Sequence, residues 1–313
     1  MNMAFAFDCG LAVVVTGVAG WIVLTRATFG AVAGFVGFGL LLTLAWVRLA
    51  AIDVALTEAA IGSLAGALLL NATARLRLCE PTTAVGPGPM SRVVAALLSA
   101  VIAAALAAAV LSLPDPAPTL APATAEHAAA TGLGNPVTNM LMAFRAMDTL
   151  LEKVVLLLAL VGVWSLAPDR FWAGRPSLLR RVEPGGTLDF LARLLPPVGI
   201  VAGIYVLWEG ANHPGGAFQG GTILASMWLL VLMAGIAEAP AVGSRRLRLT
   251  LIAGPSVFFA VGLGGLFLGD AFLAYPEAFA KPVILVIEFA MTLTVTVTLA
   301  LFLAGPPARE PFP

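Results

Sequence analysis

The sequence has very little charge for its length. Of its 313 residues only 11% are Asp, Glu, Lys or Arg, whereas 60% are hydrophobic and the mean hydropathy is +1.00. Soluble domains carry about 25% charged residues, so this composition excludes a soluble single domain. Basic and acidic residues are equal in number, 17 of each, so nothing indicates a nucleic-acid-binding or polybasic membrane-surface protein.

Cysteine and histidine are also scarce. The chain has two cysteines, Cys9 and Cys79, and two histidines, and it lacks the CxxC, HExxH, P-loop and GxSxG motifs. Metal, haem, nucleotide and hydrolase sites therefore have no sequence support, and we expect no bound cofactor, no metal site and no enzymatic activity. The two cysteines fall on opposite membrane faces in the topology derived below, so we interpret them as small apolar residues.

Nine apolar runs are long enough to cross a bilayer, whose core of roughly 30 Å needs about 20 residues per helix. We therefore predict an all-α, polytopic integral membrane protein with about nine transmembrane helices. The fourth run is uncharged and rich in Ala, which favours packing against protein rather than lipid alone. The runs lie near residues 4–25, 28–47, 52–70, 93–113, 149–167, 191–208, 217–236, 249–269 and 283–304.

Basic residues are distributed unevenly between the predicted loops. A topology with the N-terminus outside and the C-terminus in the cytoplasm places 13 of the 17 Lys and Arg residues on the cytoplasmic side, in agreement with the positive-inside rule. No basic residue precedes the first run, and Asp8 lies near its start, so a cleaved signal peptide is not expected. We predict a multi-pass protein of the inner (cytoplasmic) membrane.

Two segments divide the chain into modules. Residues 114–139 are rich in Pro and Ala without helical periodicity, which predicts a loop on the outer side, and residues 168–189 predict a short basic cytoplasmic linker. These boundaries separate a four-helix module at 1–113, one helix within 140–167 and a four-helix module at 190–313. The absence of a convincing internal repeat argues against inverted-repeat secondary transporters.

Two acids occur inside the third run, where ionisable residues are costly and point to function. Asp53 lies near the start of the run, and Glu58 lies about 1.5 turns deeper. Asp53 shares a helix face with Thr57, while Glu58 shares one with two glycines. Both acids are candidates for an ion path. The alternatives are an interfacial helix-start charge for Asp53 and a structural ion pair for Glu58.

The head of the fifth run concentrates two acids and two bases in two turns. Arg145 can pair with Asp148 at i+3, whereas Asp148 and Glu152 at i+4 repel each other unless a cation or proton intervenes. This density makes Asp148, Glu152 and Lys153 candidates for ion handling. A solvated helix start is the alternative.

A loop rich in Gly and Pro joins the sixth and seventh runs. Proline ends a helix, and the following glycines adopt backbone conformations closed to other residues, so we predict a tight hairpin that acts through backbone shape. A proton relay at His213 is the alternative, and Glu209 is a candidate for ion handling. The residues assigned to the structural loop are Pro214, Gly215, Gly216, Gly220 and Gly221.

The last run contains a single acid, Glu288. Neutral burial or a pair with a basic residue is the alternative to an ion site. Four alternating threonines follow it and can bond to backbone carbonyls. The complete set of ion-path candidates is Asp53, Glu58, Asp148, Glu152, Lys153, Glu209 and Glu288.

Three segments resemble components of one family. DVALTEAAIG at 53–62 is similar to the C-terminal region of the large A subunit of Mrp-type sodium/proton antiporters and to the D subunit of membrane-bound hydrogenases. FRAMDTLLEKVVLLLALVGV at 144–163 resembles the segment that follows it, equivalent to the hydrogenase E subunit. RLLPPVGIVAGIYVLWEGANHPGGAFQGGTILA at 193–225 resembles the opening of the antiporter B subunit. The segments occur in the family's order over nearly the whole chain, which implies a fusion of the A-subunit tail with a B-like domain.

The chain departs from the family's patterns at several positions. Leu151 replaces the glycine of DTLGE, Glu209 and Gly210 replace a His-Gly pair, and Ala217 replaces a glycine of PGGGFQGG. A histidine function is therefore not carried over to position 209.

The resemblance implies an accessory membrane subunit of a multisubunit cation/proton antiporter, with sodium as the expected cation. Its expected partners are the other membrane subunits, the lipid bilayer, and the transported cation and protons, with no nucleic acid. One alternative is an ion-translocating subunit of a membrane-bound hydrogenase or complex I-like redox pump. The other is a structural spacer whose acids only form ion pairs.

Overall fold

The computed structural model of the protein describes residues 3–76, 88–114, 116, 118–176, 185–269 and 271–309. Cys79 and residues 177–184 of the predicted linker lie outside the described residues. A two-stranded antiparallel sheet joins β1 (Arg175–Pro176) to β2 (Pro307–Arg309). The helices are α1 (Met3–Leu24), α2 (Thr28–Arg48), α3 (Ile52–Leu76), α4 (Pro89–Leu111), α5 (Ala121–His127), α6 (Pro136–Asn139), α7 (Ala146–Trp164), α8 (Thr187–Glu209), α9 (Ala217–Met233), α10 (Arg245–Leu268) and α11 (Ala280–Ala304).

Each of the nine predicted apolar runs corresponds to one of these helices, which confirms an all-α, polytopic membrane fold. Six candidate membrane spans, long and apolar enough to cross a bilayer, are found in the described part of the chain. Of the remaining helices, α9 has 17 residues, and α7 carries three charged residues within its first eight. The predicted count of nine spans is therefore approximate.

The core of the C-terminal half lies around α11. Its buried residues Ile284, Ile287, Met291 and Val295 recur at intervals of three and four, which places them on one face of the helix. Each of these side chains is at most 2% exposed. The face packs against α9 and α10, and α7 also contacts α11. Polar groups on α7, α9 and α11 are thereby brought close to one another.

Close helix packing in this half depends on glycines of α9. A Cβ atom at Gly220 would come within 2.6 Å of the carbonyl oxygen of Gly203 in α8, and one at Gly221 within 2.8 Å of Val295 Cγ1. The helix backbones therefore approach more closely than larger side chains would allow, as is typical of helix contacts in membranes.

A threonine hydroxyl joins α10 to α11. Thr294 Oγ1 accepts a 2.9 Å hydrogen bond from the backbone N–H of Gly254 and donates a 3.1 Å bond to the carbonyl oxygen of Thr250. The next residue in α10 is Pro255, which has no N–H and interrupts the helical hydrogen-bond ladder. The buried hydroxyl thus satisfies backbone groups where the ladder is disturbed.

The N-terminal helices have a different character. α1, α2 and α3 pack against each other in chain order, and α3 also contacts α9. Among their described residues, α1 and α4 bury no side chain. Their apolar surfaces therefore face either lipid or other proteins.

The segment 114–139, which the sequence predicts as a loop, contains the short helices α5 and α6. Asn135 caps α6, because its side-chain oxygen accepts a 2.9 Å bond from the N–H of Val137. Thr138 Oγ1 donates a 2.6 Å bond to the carbonyl oxygen of Gly210. The segment therefore packs on the loop between α8 and α9.

Candidate functional site

A cavity of about 280 Å³ lies between α3, α6, α7, α9 and α11. We call it the charged cavity, because its lining includes Glu152 and Lys153 from α7 and Glu288 from α11. Three of the seven ion-path candidates therefore share one cavity, although they come from distant parts of the sequence. The polar residues in the same lining are Thr57, Thr138, Thr149 and Gln219.

Lys153 is the buried base of this cavity. Its side chain is only 4% exposed, and its Nζ lies 3.0 Å from Glu152 Oε1. The ammonium also lies 4.8 Å from the centroid of the Phe218 ring. The ion pair and the cation–π contact compensate in part for the loss of water around the charge. The Glu152 side chain is 53% exposed, so this pair links the cavity to the protein surface.

Glu288 is the buried acid on the opposite helix. The residue is 3% exposed, and a Cβ atom at Gly216 would lie 3.4 Å from its Oε1. Because Gly216 is the N-cap residue of α9, the carboxylate lies at the positive end of that helix dipole. Glu288 Oε2 has no hydrogen-bond partner among the described residues. A buried carboxylate oxygen without a hydrogen-bond partner can accept a proton or bind a cation.

The hairpin between α8 and α9 forms one wall of the charged cavity. Gly215 has φ +153° and Gly216 has φ +130°, conformations that favour glycine. A Cβ atom at Gly216 would lie 3.4 Å from Glu288 Oε1. The backbone N–H of Gly216 donates a 3.0 Å bond to the carbonyl oxygen of Val206. The backbone therefore passes close to the buried acid.

Asp53 lies on the other side of this hairpin. The residue is 7% exposed, and its Oδ1 accepts hydrogen bonds from the N–H of Gly215 at 3.0 Å and from the side-chain amide of Asn135 at 3.2 Å. The amide of Gln219 donates a 3.3 Å bond to the Asp53 carbonyl oxygen. Uncharged donors from two other segments thus hold this carboxylate.

A second cavity, of about 220 Å³, lies beside Asp53. Its lining includes Asp53, Asn135, His213 and Pro214, whereas Gly215 lines the charged cavity. The hydrogen bond between Asp53 and Gly215 therefore lies at the boundary between the two cavities.

The remaining candidates lie outside the charged cavity. Glu58 faces α2, where its Oε1 would be 3.5 Å from a Cβ atom at Gly39, and no ion pair among the described residues includes Glu58. Asp148 forms an ion pair with Arg145 on the protein surface, and both side chains are more than half exposed.

The hairpin also contains a hydrogen bond between two titratable side chains. Glu209, whose side chain is 27% exposed, pairs with His213 Nδ1 at 2.6 Å. Within the described ranges no three His, Cys, Asp or Glu side chains come together as a metal site.

Several polar residues of the site are not identified by the sequence patterns. Asn135 falls in a predicted loop, although Asn followed by Pro is a helix-cap signal. The sequence patterns include Gln219 only as part of the segment around the hairpin, and they include Thr57 only as a neighbour of Asp53 on one helix face. Their roles depend on contacts between distant segments, which periodicity within one helix does not reveal.

Two family models match parts of the chain. Residues 187–305 match the model of a domain related to the MnhB subunit of Na+/H+ antiporter. Residues 13–78 match the MbhD model, which describes the D subunit of MBH. No curated protein matches the sequence significantly.

Two solved structures share the fold. The first is the Mrp complex from Dietzia sp. DQ12-45-1b, with 24% identity and a TM-score of 0.73 over 97% of this chain and 35% of that chain. The present chain thus spans about a third of the matched Mrp chain's length. The second is the membrane-bound sulfane sulfur reductase, an archaeal respiratory membrane complex, with 27% identity and a TM-score of 0.56 over 68% of this chain and 96% of that chain.

Proposed function

We propose that this chain is an accessory membrane subunit of a multisubunit cation/proton antiporter. The proposal starts from the two family matches and the Mrp-like fold, which support a fusion of an MbhD-like domain with an MnhB-like domain of the Mrp antiporter type. Sodium is the expected cation. The acids of the chain hold cations or protons along a hydrated path that other membrane subunits complete. Its role is transport rather than enzymatic catalysis.

The observation that carries this proposal is the convergence of Glu152, Lys153 and Glu288 on one cavity. Lys153 lies seven residues into α7 and Glu288 eight residues into α11, so both lie about 10–12 Å from their helix starts. Ionisable groups at such depth are costly and are typical of ion and proton pathways. Glu288 lies within the segment that matches the MnhB-related model, whereas Glu152 and Lys153 lie outside both matched segments.

The path we propose continues from the charged cavity to the second cavity across Asp53. Asp53 is the buried acid at the boundary between the two cavities, and Glu58 extends the acidic residues towards α2. Completion of the path by partners is supported by α1 and α4, which bury none of their described residues in this chain. The matched structures are themselves membrane complexes.

We also propose an inner-membrane location with the N-terminus outside and the C-terminus in the cytoplasm. The support is the distribution of basic residues. Arg245, Arg246 and Arg248 lie in the first turn of α10, at the same end of the helices as the β1–β2 sheet, whereas the hairpin and Asp53 lie at the other end. The positive-inside rule assigns the arginine-rich end to the cytoplasm.

The test uses the native complex, purified through an affinity tag on this chain and reconstituted in proteoliposomes. We expect co-purifying membrane subunits and exchange of sodium for protons. Glu288→Gln and Glu152→Gln should lower the exchange while the complex still assembles. Glu126→Gln, at an exposed acid of α5, is the matched control and should not change it. Full exchange by the Glu288→Gln complex would contradict the proposed path, and loss of assembly in both cavity variants would favour a structural spacer.

A second candidate function is favoured by the match to a respiratory membrane complex, which covers 96% of that chain. In this case the same helices would couple electron transfer to ion movement. The two candidates differ in their partners, so redox-active subunits in the purified complex, with ion movement driven by an electron donor, would favour the redox pump. Exchange driven by a sodium gradient alone would favour the antiporter.

A further inference from the structure

We infer that the charged cavity carries protons rather than metal cations, with Lys153 and Glu288 as the two groups that hold the transferred proton. This inference rests on the proposed function and names the ion that is handled at its site. It is carried by the position of the ammonium, the unpartnered oxygen of Glu288 and the titratable groups around them.

Three titratable side chains line the charged cavity, namely Glu152, Lys153 and Glu288. α3 contributes Thr57 and Ile61 to the lining, α9 contributes Phe218 and Gln219, and the hairpin contributes Gly215 and Gly216. The other nearby charges face elsewhere. Asp53 lies across the hairpin in the second cavity, and the Arg145–Asp148 ion pair and the hydrogen-bonded Glu209 and His213 lie outside the lining of the charged cavity.

The ammonium of Lys153 already occupies the cation position of this cavity. It is buried beside Glu152 and beneath the Phe218 ring. A second cation would be repelled strongly in these low-dielectric surroundings. Sodium would also need several oxygen ligands, whereas Glu288 Oε2 is the one buried carboxylate oxygen among the described residues that has no hydrogen-bond partner.

A proton does not need the several oxygen ligands that a metal ion needs. Lys153 as an ammonium can donate a proton to the Glu152 carboxylate, with Nζ and Oε1 3.0 Å apart, which leaves a neutral amine and a carboxylic acid. Glu152 then releases the proton at its exposed side. A protonated Glu288 returns a proton to the amine through cavity water, since the polar lining can hold bridging waters. The charges and protons balance, and no redox partner is required.

The first arm of the experiment compares two buffer cations in the native complex. Infrared difference spectra of the native complex between acid and alkaline buffer report the protonation of buried carboxyl groups. If the ammonium excludes sodium, the carboxyl signal should be the same in sodium and in N-methylglucamine buffer. Glu288→Gln identifies the part of the signal that belongs to Glu288. A sodium-dependent shift of the Glu288 signal in the wild-type complex would overturn the inference.

The second arm replaces the lysine. Lys153→Arg keeps the charge but cannot release a proton, so proton flux should fall by about tenfold or more with assembly intact. Lys153→Met removes the charge and should make the Glu288 signal sodium-dependent. Lys281→Arg is the matched control, since Lys281 Nζ bonds to Asn212 Oδ1 at 2.7 Å outside the cavity. Full proton flux in Lys153→Arg would show that Lys153 supplies only a charge and would overturn the inference.

The outcomes separate this inference from the proposed function. If the wild-type complex exchanges no ions but the Glu288 signal still depends on Lys153 and not on sodium, the antiporter proposal fails and the inference stands. If exchange occurs and the Glu288 signal responds to sodium, the antiporter proposal stands and the inference fails.

Discussion

Asp53 Oδ1 accepts a 3.0 Å hydrogen bond from the backbone N–H of Gly215, which lies 162 residues further along the chain. The bond joins α3 to the hairpin between α8 and α9. Asn135 adds a second donor from the segment between them. One carboxylate therefore connects three parts of the chain at the boundary of the two cavities.

The first prediction concerns this connection. Asp53→Leu leaves the Gly215 N–H without its acceptor, at a cost of about 1–3 kcal/mol for a buried donor, and removes one of the two acceptors of the Asn135 amide, which still donates to the His213 carbonyl oxygen. We expect a lower melting midpoint or loss of the complex. Asp53→Asn keeps an oxygen acceptor and should preserve assembly, while exchange falls if the charge belongs to the ion path. Equal melting midpoints for wild type and Asp53→Leu would show that the connection contributes no stability.

The second prediction concerns the hairpin. Gly216 has φ +130°, and a Cβ atom there would meet Glu288 Oε1 at 3.4 Å. Gly216→Val should therefore destabilise the complex by about 1 kcal/mol or more. His213→Ala should have a much smaller effect, because the His213 side chain is 72% exposed and water can replace its hydrogen bonds. Both variants are scored for assembly and for transport at several pH values. If His213→Ala shifts the pH optimum while Gly216→Val is silent, the hairpin acts as a proton relay.

The third prediction concerns the contact between α10 and α11. Thr294→Val keeps the side-chain shape but leaves two backbone groups, at Gly254 and Thr250, without the hydroxyl. We expect a loss of about 1–3 kcal/mol, measured as a lower melting midpoint. Thr16→Val is the control, because the Thr16 hydroxyl is exposed and bonds only to Ala12 in its own helix. Similar midpoints for the two variants would contradict a special role for Thr294.

The fourth prediction concerns Glu58. It faces Gly39 of α2 and takes part in no ion pair among the described residues. Glu58→Gln should therefore leave assembly intact, since no described base loses its partner, and should abolish exchange if Glu58 handles ions. A structural ion pair with another chain of the complex would instead cost about 3 kcal/mol or more, visible as loss of the complex on native gels. Intact assembly with full transport would remove Glu58 from both roles.

The helices were predictable because the sequence patterns that indicate them, apolar runs and short residue spacings, each lie within one segment of the chain. Apolar runs predicted the positions of the nine long helices found in the described residues, and the i+3 spacing indicated the pair between Arg145 and Asp148. Of the four alternating threonines in α11, Thr292 and Thr296 donate to carbonyl oxygens one turn earlier, as the carbonyl alternative predicts, whereas Thr298 Oγ1 has no hydrogen-bond partner among the described residues. Local chemistry was sufficient for these features.

The charged cavity was not predictable in the same way. Lys153 and Glu288 each stand out in the sequence as costly charges, but their common cavity depends on the packing of α7 against α11. The expected repulsion between Asp148 and Glu152 is relieved because each acid pairs with a different base, Arg145 or Lys153. The role of Asn135 is hidden in the sequence because it depends on Asp53, 82 residues away.

Sodium-driven proton movement in proteoliposomes tests the central claim most directly, when vesicles with the native complex are compared with vesicles that contain this chain alone. We predict exchange by the complex and none by the isolated chain, because the charged cavity is one part of a path that other membrane subunits complete. Measurable exchange by the isolated chain, or none by the intact complex, would contradict the assignment of this protein as an accessory subunit of a cation/proton antiporter.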